Sequence, residues 1–430
     1  MRLPWNQRPL PHEVFTPGSP PLEEHNVYVP RQEAEANLER FLQRRQVPVI
    51  FGEYGVGKTT VVQRFFQDRG VNGRLVYVPS VSGTTLPDIF QILLEHLGYT
   101  VEVERTAGQV VGVDGGFDFK VVKANAKGEE SEQSKTQLVV TSPTDVAVIR
   151  AIRNAQLVVV LDEMHKASDA FRRDLVDFIK ATRTGGGGFD LVLIGTSMDA
   201  ERLVEPDPGI DRYVKEMPVA LLSHKEARFI VDEGFRRLGL SIQEELADRL
   251  VSSAAGAPTI VQSLCLDAAE AAKADDRDEV TESDCRLAVQ RYLQEHGRRL
   301  AGVYLRAIET FGPKRYRKQI LQAVAKLDSD YATMEDIRTT VSIALNEDIP
   351  SQSLSGPLGS LKTDDYGKIL QDVERVVSGD RIHNLTTFTD PMMKSFVRFM
   401  GNLDQTRLMP SPPELADAVG PEAEDQRSLE

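Results

Sequence analysis

Gly52-Glu-Tyr-Gly-Val-Gly57-Lys58-Thr59 decides the reading of this chain. An apolar run of strand length, Val47–Phe51, precedes it, and a helical pattern, Lys58–Gln67, follows it. The spacing G-x-x-x-x-G-K-[ST] between a strand and a helix is that of a phosphate-binding loop. Glycines let backbone N–H groups close around a phosphate, and the N-terminus of the following helix favours an anion. Lys58 supplies a point charge for the outer phosphates, and Thr59 offers a hydroxyl to Mg²⁺. The loop residues Gly52, Glu53, Tyr54, Gly55, Val56, Gly57, Lys58, Thr59 and Thr60 are therefore the expected nucleotide-binding set, with ATP as the ligand.

Working outward, a second apolar run, Leu157-Val-Val-Val-Leu161, ends in Asp162-Glu163. In a parallel sheet an acidic pair after a strand lies at the carboxyl edge, beside the phosphate loop. Asp162 is the expected Mg²⁺ partner of Thr59, and Glu163 the residue that orients and activates water. His165 reads either as a relay or as a polar residue at a strand–loop junction. Thr196, after the run Asp190–Gly195, reads either as a contact to the terminal phosphate or as a helix cap. Arg212 reads either as a solvated charge or as an arginine finger directed at a neighbouring subunit.

The same alternation continues through Arg74–Pro79 (strand), Pro87–Leu97 (helix), Ala170–Thr182 (helix) and Glu216–Leu222 (fifth strand), after an opening helix over Arg31–Arg44. Apolar strands alternating with helices predict an α/β fold, a parallel sheet covered on both faces. Residues 101–141 interrupt it with alternating stretches around a polar run, an expected β-hairpin insertion. Residues 1–25 are proline-rich and predict an extended arm, with the sheet core over 26–222. From 223 to 298 the pattern is helical, with capping boxes at Ser223/Glu226 and Thr281/Asp284, and predicts a helical lid. Residues 301–400 fit helices over Lys314–Leu327, Met334–Leu345 and Gln352–Leu361, then strands over Ile369–Val377 and Arg381–Phe388. That is the order of a winged helix. Residues 404–430 predict a disordered acidic tail.

With 41% hydrophobic and 27% charged residues the chain has the composition of a soluble globular protein large enough for more than one core. A formal net charge of -14 argues against a general polyanion binder, so DNA contact needs a local basic patch. The two cysteines, Cys265 and Cys285, sit among apolar neighbours and predict reduced core thiols. No run reaches membrane-helix length and the N-terminus shows no signal peptide, which predicts a cytoplasmic protein with no membrane partner.

Taken together, these motifs resemble the AAA+/STAND superclass of P-loop ATPases, over about Asn26–Met400. The chain looks most like its origin-recognition and archaeal-ATPase branch, and like transposition-regulator ATPases. Tyr28-Val29-Pro-Arg31-Gln-Glu33 is similar to the family's motif near the adenine, which implicates Val29 and Arg31. Gly256-Ala-Pro258 resembles the lid's GxP motif, which implicates Pro258 in nucleotide contact. The residue after that proline is Thr259, where many relatives carry an arginine, and this favours slow hydrolysis. The resemblance implies an ATPase acting as a nucleotide-dependent oligomeric switch, in bacterial antiviral defence or signalling. The alternatives are an ATP-dependent DNA-loading protein, using Lys362, Lys368, Arg375 and Arg381, and a nucleotide-holding scaffold for a partner effector protein. A homo-oligomer is expected on the first reading.

Overall fold

The structure is a computed structural model that describes residues 8–53, 55–98, 146–184, 189–195, 208–295, 298–308, 316–327, 331–377 and 380–408. The expected insertion at 101–141, Tyr54, Thr196 and the chain beyond 408 lie outside the described residues. Two compact units form: one from Pro30–Gly52 and Lys58–Val219, the other from Met1–Val29, Glu53–Gly57 and Ala220–Glu430.

The first unit carries a five-stranded sheet. Its elements in chain order are α2 (Gln32–Gln43; α1, Pro11–Val14, belongs to the other unit), β1 (Val47–Phe51), α3 (Lys58–Asp68), β2 (Leu75–Pro79) and α4 (Leu86–His96). Then come α5 (Val146–Asn154), β3 (Val158–Asp162), α6 (Asp169–Thr184), β4 (Asp190–Gly195) and β5 (Val214–Pro218). All pairings are parallel, in the order β2-β3-β4-β1-β5. Parallel strands with helices on the faces are apolar along their whole length, and β1, β3 and β4 are buried nearly end to end. The sheet order puts β1, which feeds the phosphate loop, beside β4, and β4 beside β3, which ends at Asp162.

Two differences from the sequence reading have physical causes. The fifth strand, expected over Glu216–Leu222, runs over Val214–Pro218. Its register is set by β1, with Val47 opposite Val214 and Phe51 opposite Pro218. Helix α5 was not anticipated, yet VAVIRAIRN is amphipathic and buries Ile149 and Ile152 in the sheet core.

The second unit begins with one helical turn, α1 (Pro11–Val14), where an extended arm was expected. The segment is anchored by apolar burial and by hydrogen bonds. The Phe15 ring packs edge-on to Phe235 at 5.6 Å and fills the space left by Gly234, where an added Cβ would lie 2.2 Å from the ring. Gln262 accepts from the Thr16 amide at 2.8 Å and donates to the Val27 carbonyl at 3.2 Å. Arg237 Nη1 donates to the carbonyls of Glu24, His25 and Asn26.

The helical segment comprises α7 (His224–Leu238), α8 (Glu244–Ser253), α9 (Pro258–Ala274) and α10 (Glu282–Glu295), with a two-residue parallel pairing between β6 (Ser241–Ile242) and β7 (Glu279–Val280). The cap at Ser223 is a reciprocal box: Ser223 Oγ accepts from the Glu226 amide and Glu226 Oε2 from the Ser223 amide. There follow α11 (Arg298–Ile308), α12 (Arg317–Lys326), α13 (Met334–Leu345), α14 (Ser351–Ser360), the antiparallel pair β8 (Leu370–Val377) and β9 (Asp380–Phe388), and α15 (Pro391–Thr406). One continuous apolar core runs from Val14 and Phe15 through the helical segment to Leu403 and Leu408, so the segments expected as separate lid and C-terminal domains share it. Helix α15 runs past Met400 to Thr406, into the stretch expected as the acidic tail, and Leu403 and Leu408 are buried. Both cysteines are free and buried, as expected of core thiols. Among the described residues no helix is long and apolar enough to cross a membrane.

Candidate functional site

The phosphate loop leaves β1 at Gly52 and enters α3 at Lys58. Gly55 and Gly57 adopt φ of 79° and 88°, a region that side chains with a Cβ rarely enter. The Lys58 ammonium donates to the Gly52 carbonyl at 2.9 Å and so folds back along its own loop. The Thr59 hydroxyl donates to Asp162 Oδ2 at 2.7 Å. Thr60 follows in the first turn of α3.

Asp162 is the last residue of β3. Its Oδ1 accepts from the Glu163 backbone N–H at 2.7 Å, so each of its oxygens is engaged by a neutral donor. Tyr77, on β2, donates its hydroxyl to the Thr59 carbonyl at 3.3 Å. Burial, reinforced by the Asp162 carboxylate, pushes the Tyr77 hydroxyl far above the ordinary phenol value and keeps it a donor. Glu163 has the left-handed backbone, φ 60°, unusual for a residue with a Cβ. Its carboxylate meets Lys166 Nζ at 2.6 Å and His165 Nε2 at 3.4 Å. His165 therefore sits beside the candidate catalytic carboxylate.

In the second unit, Glu53 and Gly55 of the same loop have their own partners. Glu53 Oε1 lies 3.0 Å from Lys394 Nζ, and Glu53 Oε2 lies 2.8 Å from Arg398 Nη1. A Cβ on Gly55 would meet Thr259 Oγ1 at 2.7 Å. Thr259 is the second residue of α9, directly after Pro258 at that helix's N-terminus. Val56 is buried, and Val29 is partly buried against the core of its unit. Arg31 caps the start of α2, its amide held by Glu35 at 3.0 Å. Arg212 ends a short 3₁₀ turn before β5 and is exposed, with its guanidinium 4.7 Å from the centre of the Tyr213 ring.

Sequence reasoning named the loop and the acidic pair but missed Tyr77, Lys166, Lys394 and Arg398. A signal existed for the last two. In Met393-Lys-Ser-Phe396-Val-Arg398-Phe-Met400 two cations spaced one helical turn apart stand among apolar residues, which demands a buried anion.

The oxygen set formed by Thr59 and Asp162 suits a hard divalent cation such as Mg²⁺, and the loop's backbone conformation suits a phosphate. Residues 40–204 match the model of the AAA domain family. This stretch is an AAA+ P-loop domain. It is of the nucleotide-hydrolase kind. No curated protein matches the chain in sequence. Among solved structures, it is similar to Cdc6p from Pyrobaculum aerophilum at 14% identity, covering 93% of this chain and 99% of that one, with a TM-score of 0.44. It is also similar to the Aeropyrum pernix ORC2 protein in its ADPNP-ADP complexes, at 15% identity, 90% and 96% coverage and a TM-score of 0.46. A third is a Walker-type ATPase of Pyrococcus abyssi, at 16% identity, 89% and 98% coverage and a TM-score of 0.45.

Proposed function

We propose that the chain binds ATP with Mg²⁺, hydrolyses it slowly and acts as a nucleotide-dependent switch that changes its oligomeric state. The observation that carries the nucleotide reading is the 2.7 Å bond from Thr59 to Asp162, which brings the phosphate loop and the acidic strand end to one point. Mg²⁺ at that point supplies charge neutralisation for the outer phosphates. Lys58 binds the phosphates, Thr59 and Asp162 hold the metal, and Glu163 orients water.

Two observations support slow turnover. The Glu163 carboxylate is tied to Lys166 at 2.6 Å, which occupies one of its oxygens and withholds it from water until that contact opens. The helix that begins at Pro258 offers the hydroxyl of Thr259 where an arginine would add charge. A role in bacterial antiviral defence or signalling belongs to this reading, with Arg212 as the residue offered to a neighbouring subunit and a partner effector as the output.

The runner-up, ATP-dependent DNA loading, draws on the order of α12, α13, α14 and the β8–β9 pair, which is that of a winged helix. Against it, Lys362 is paired with Asp372, so one of the cations this reading needs is already engaged. Size measurement by light scattering with ADP, with a non-hydrolysable ATP analogue and without nucleotide tests the switch. One unchanged assembly in all three conditions refutes it. Retention on DNA at low salt only with ATP would favour the runner-up.

A further inference from the structure

Glu53 is an acid inside a loop whose proposed task is to bind an anion. A carboxylate there opposes phosphate binding by direct repulsion unless it is neutralised. The neutralising charges come from α15. Lys394 and Arg398 lie one helical turn apart, and each takes one oxygen of Glu53, at 3.0 and 2.8 Å. All three side chains are nearly shielded from water, with 11% exposure at Glu53, 8% at Lys394 and 11% at Arg398, so solvent screens their charges weakly. Arg398 also donates to the carbonyls of Ala325 and Leu327 at the end of α12, and this fixes its guanidinium in place. Glu53, Lys394 and Arg398 belong to the same compact unit.

We propose that Lys394 and Arg398 are positioning residues for nucleotide binding: by neutralising Glu53 they make the phosphate loop competent for an anion, so that docking of α15 and binding of nucleotide reinforce each other. The proposal rests on the nucleotide reading of the loop. With α15 docked, the triad contributes one net positive charge beside the phosphates. With α15 released, the loop keeps the acid and loses these two positive charges. Coupling of this kind is reciprocal: whatever α15 adds to nucleotide affinity, nucleotide adds to the docking of α15.

The test is a titration with fluorescent ADP of the wild-type chain, Lys58→Ala, the double variant Lys394→Ala/Arg398→Ala, and the triple variant that adds Glu53→Gln. The double variant is expected to bind about tenfold more weakly or worse, and the triple variant to regain most of that loss, because the uncompensated acid has gone. A merely structural role for the two cations predicts no recovery. The proposal is overturned if the double variant binds like wild type while Lys58→Ala does not, or if the triple variant stays as weak as the double. If the wild-type chain binds no ADP, the nucleotide reading itself fails, and this inference falls with it. A second measurement needs only the wild-type chain. ADP should slow amide exchange across residues 391–406, and unchanged exchange in ADP-saturated protein overturns the coupling.

Discussion

Thr59 donates a hydrogen bond from its hydroxyl to Asp162 across 2.7 Å of space and 103 residues of sequence. The contact exists because β1 and β3 both flank β4, which brings the start of α3 toward the end of β3. Both atoms are hard oxygen donors, the kind that a small divalent cation selects. Asp162→Asn keeps the size and a hydrogen-bonding partner for Thr59 but removes the charge. It should lower Mg²⁺-dependent phosphate release by roughly 10–100-fold or more, with ADP binding in the absence of magnesium largely kept. Thr59→Ser should keep most activity and Thr59→Ala should lose it. Phosphate release followed across magnesium concentrations checks this, and equal turnover in Asp162→Asn and wild type would remove Asp162 from the metal site.

Glu163 and Lys166 make opposite predictions for the same assay. Glu163→Gln removes the group that activates water and should trap bound ATP, with turnover reduced by about 10²–10⁴-fold. Lys166→Ala frees the carboxylate from its 2.6 Å contact and should raise turnover a few-fold, about two to five times. Single-turnover hydrolysis of labelled ATP separates trapping from failure to bind. A Lys166→Ala variant slower than wild type would mean that the contact positions Glu163 for the reaction.

The legibility of this molecule followed the range over which each signal acts. The phosphate loop was readable because its glycines, lysine and threonine lie within one short stretch between a strand and a helix. Strands β1 and β4 were readable to the residue, since a strand buried on both faces is apolar throughout. β5 was misplaced because its polar positions, Lys215 and Glu216, weaken the apolar signal, and only pairing with β1 fixes its ends. The N-terminal strap was read as extended because prolines dominate its composition, whereas Phe15 finds its place only through the gap at Gly234. The Glu53 triad joins residues more than three hundred positions apart, and no local pattern could have paired them.

Gly256 carries a stability prediction. Its φ is 77°, and a Cβ there would lie 2.5 Å from the Leu222 carbonyl oxygen. That carbonyl belongs to the backbone and cannot rotate aside, and the Leu222 amide already donates to the Gly256 carbonyl at 2.8 Å. Gly256→Ala therefore combines left-handed strain with a backbone clash and should cost about 2–4 kcal/mol. Thermal unfolding monitored by circular dichroism should show the loss, while Ala255→Gly, at φ 52°, should be neutral or slightly stabilising. A Gly256→Ala chain as stable as wild type would show that the turn before α9 rearranges freely.

Asp267 makes stability depend on pH. Burial pushes its carboxyl up to about 6, and the Glu295 and Glu270 carboxylates push the same way, while Arg291, 3.6 Å away, pulls against them. In the unfolded chain the same group titrates near 3.9. Between about pH 4 and 6 the folded protein therefore holds a proton that the unfolded chain has released. Where the native state binds more protons, stability falls as pH rises. The contribution of Asp267 is thus favourable at and below about pH 4, declines through the window to about pH 6, and stays unfavourable above it. Asp267→Asn abolishes the titration, so the variant should melt above wild type at pH 7, with the gap closing toward pH 4. Denaturation midpoints of both chains at pH 4, 5, 6 and 7 check the sign. A variant that melts below wild type at pH 7 would mean that the attraction to Arg291 outweighs burial.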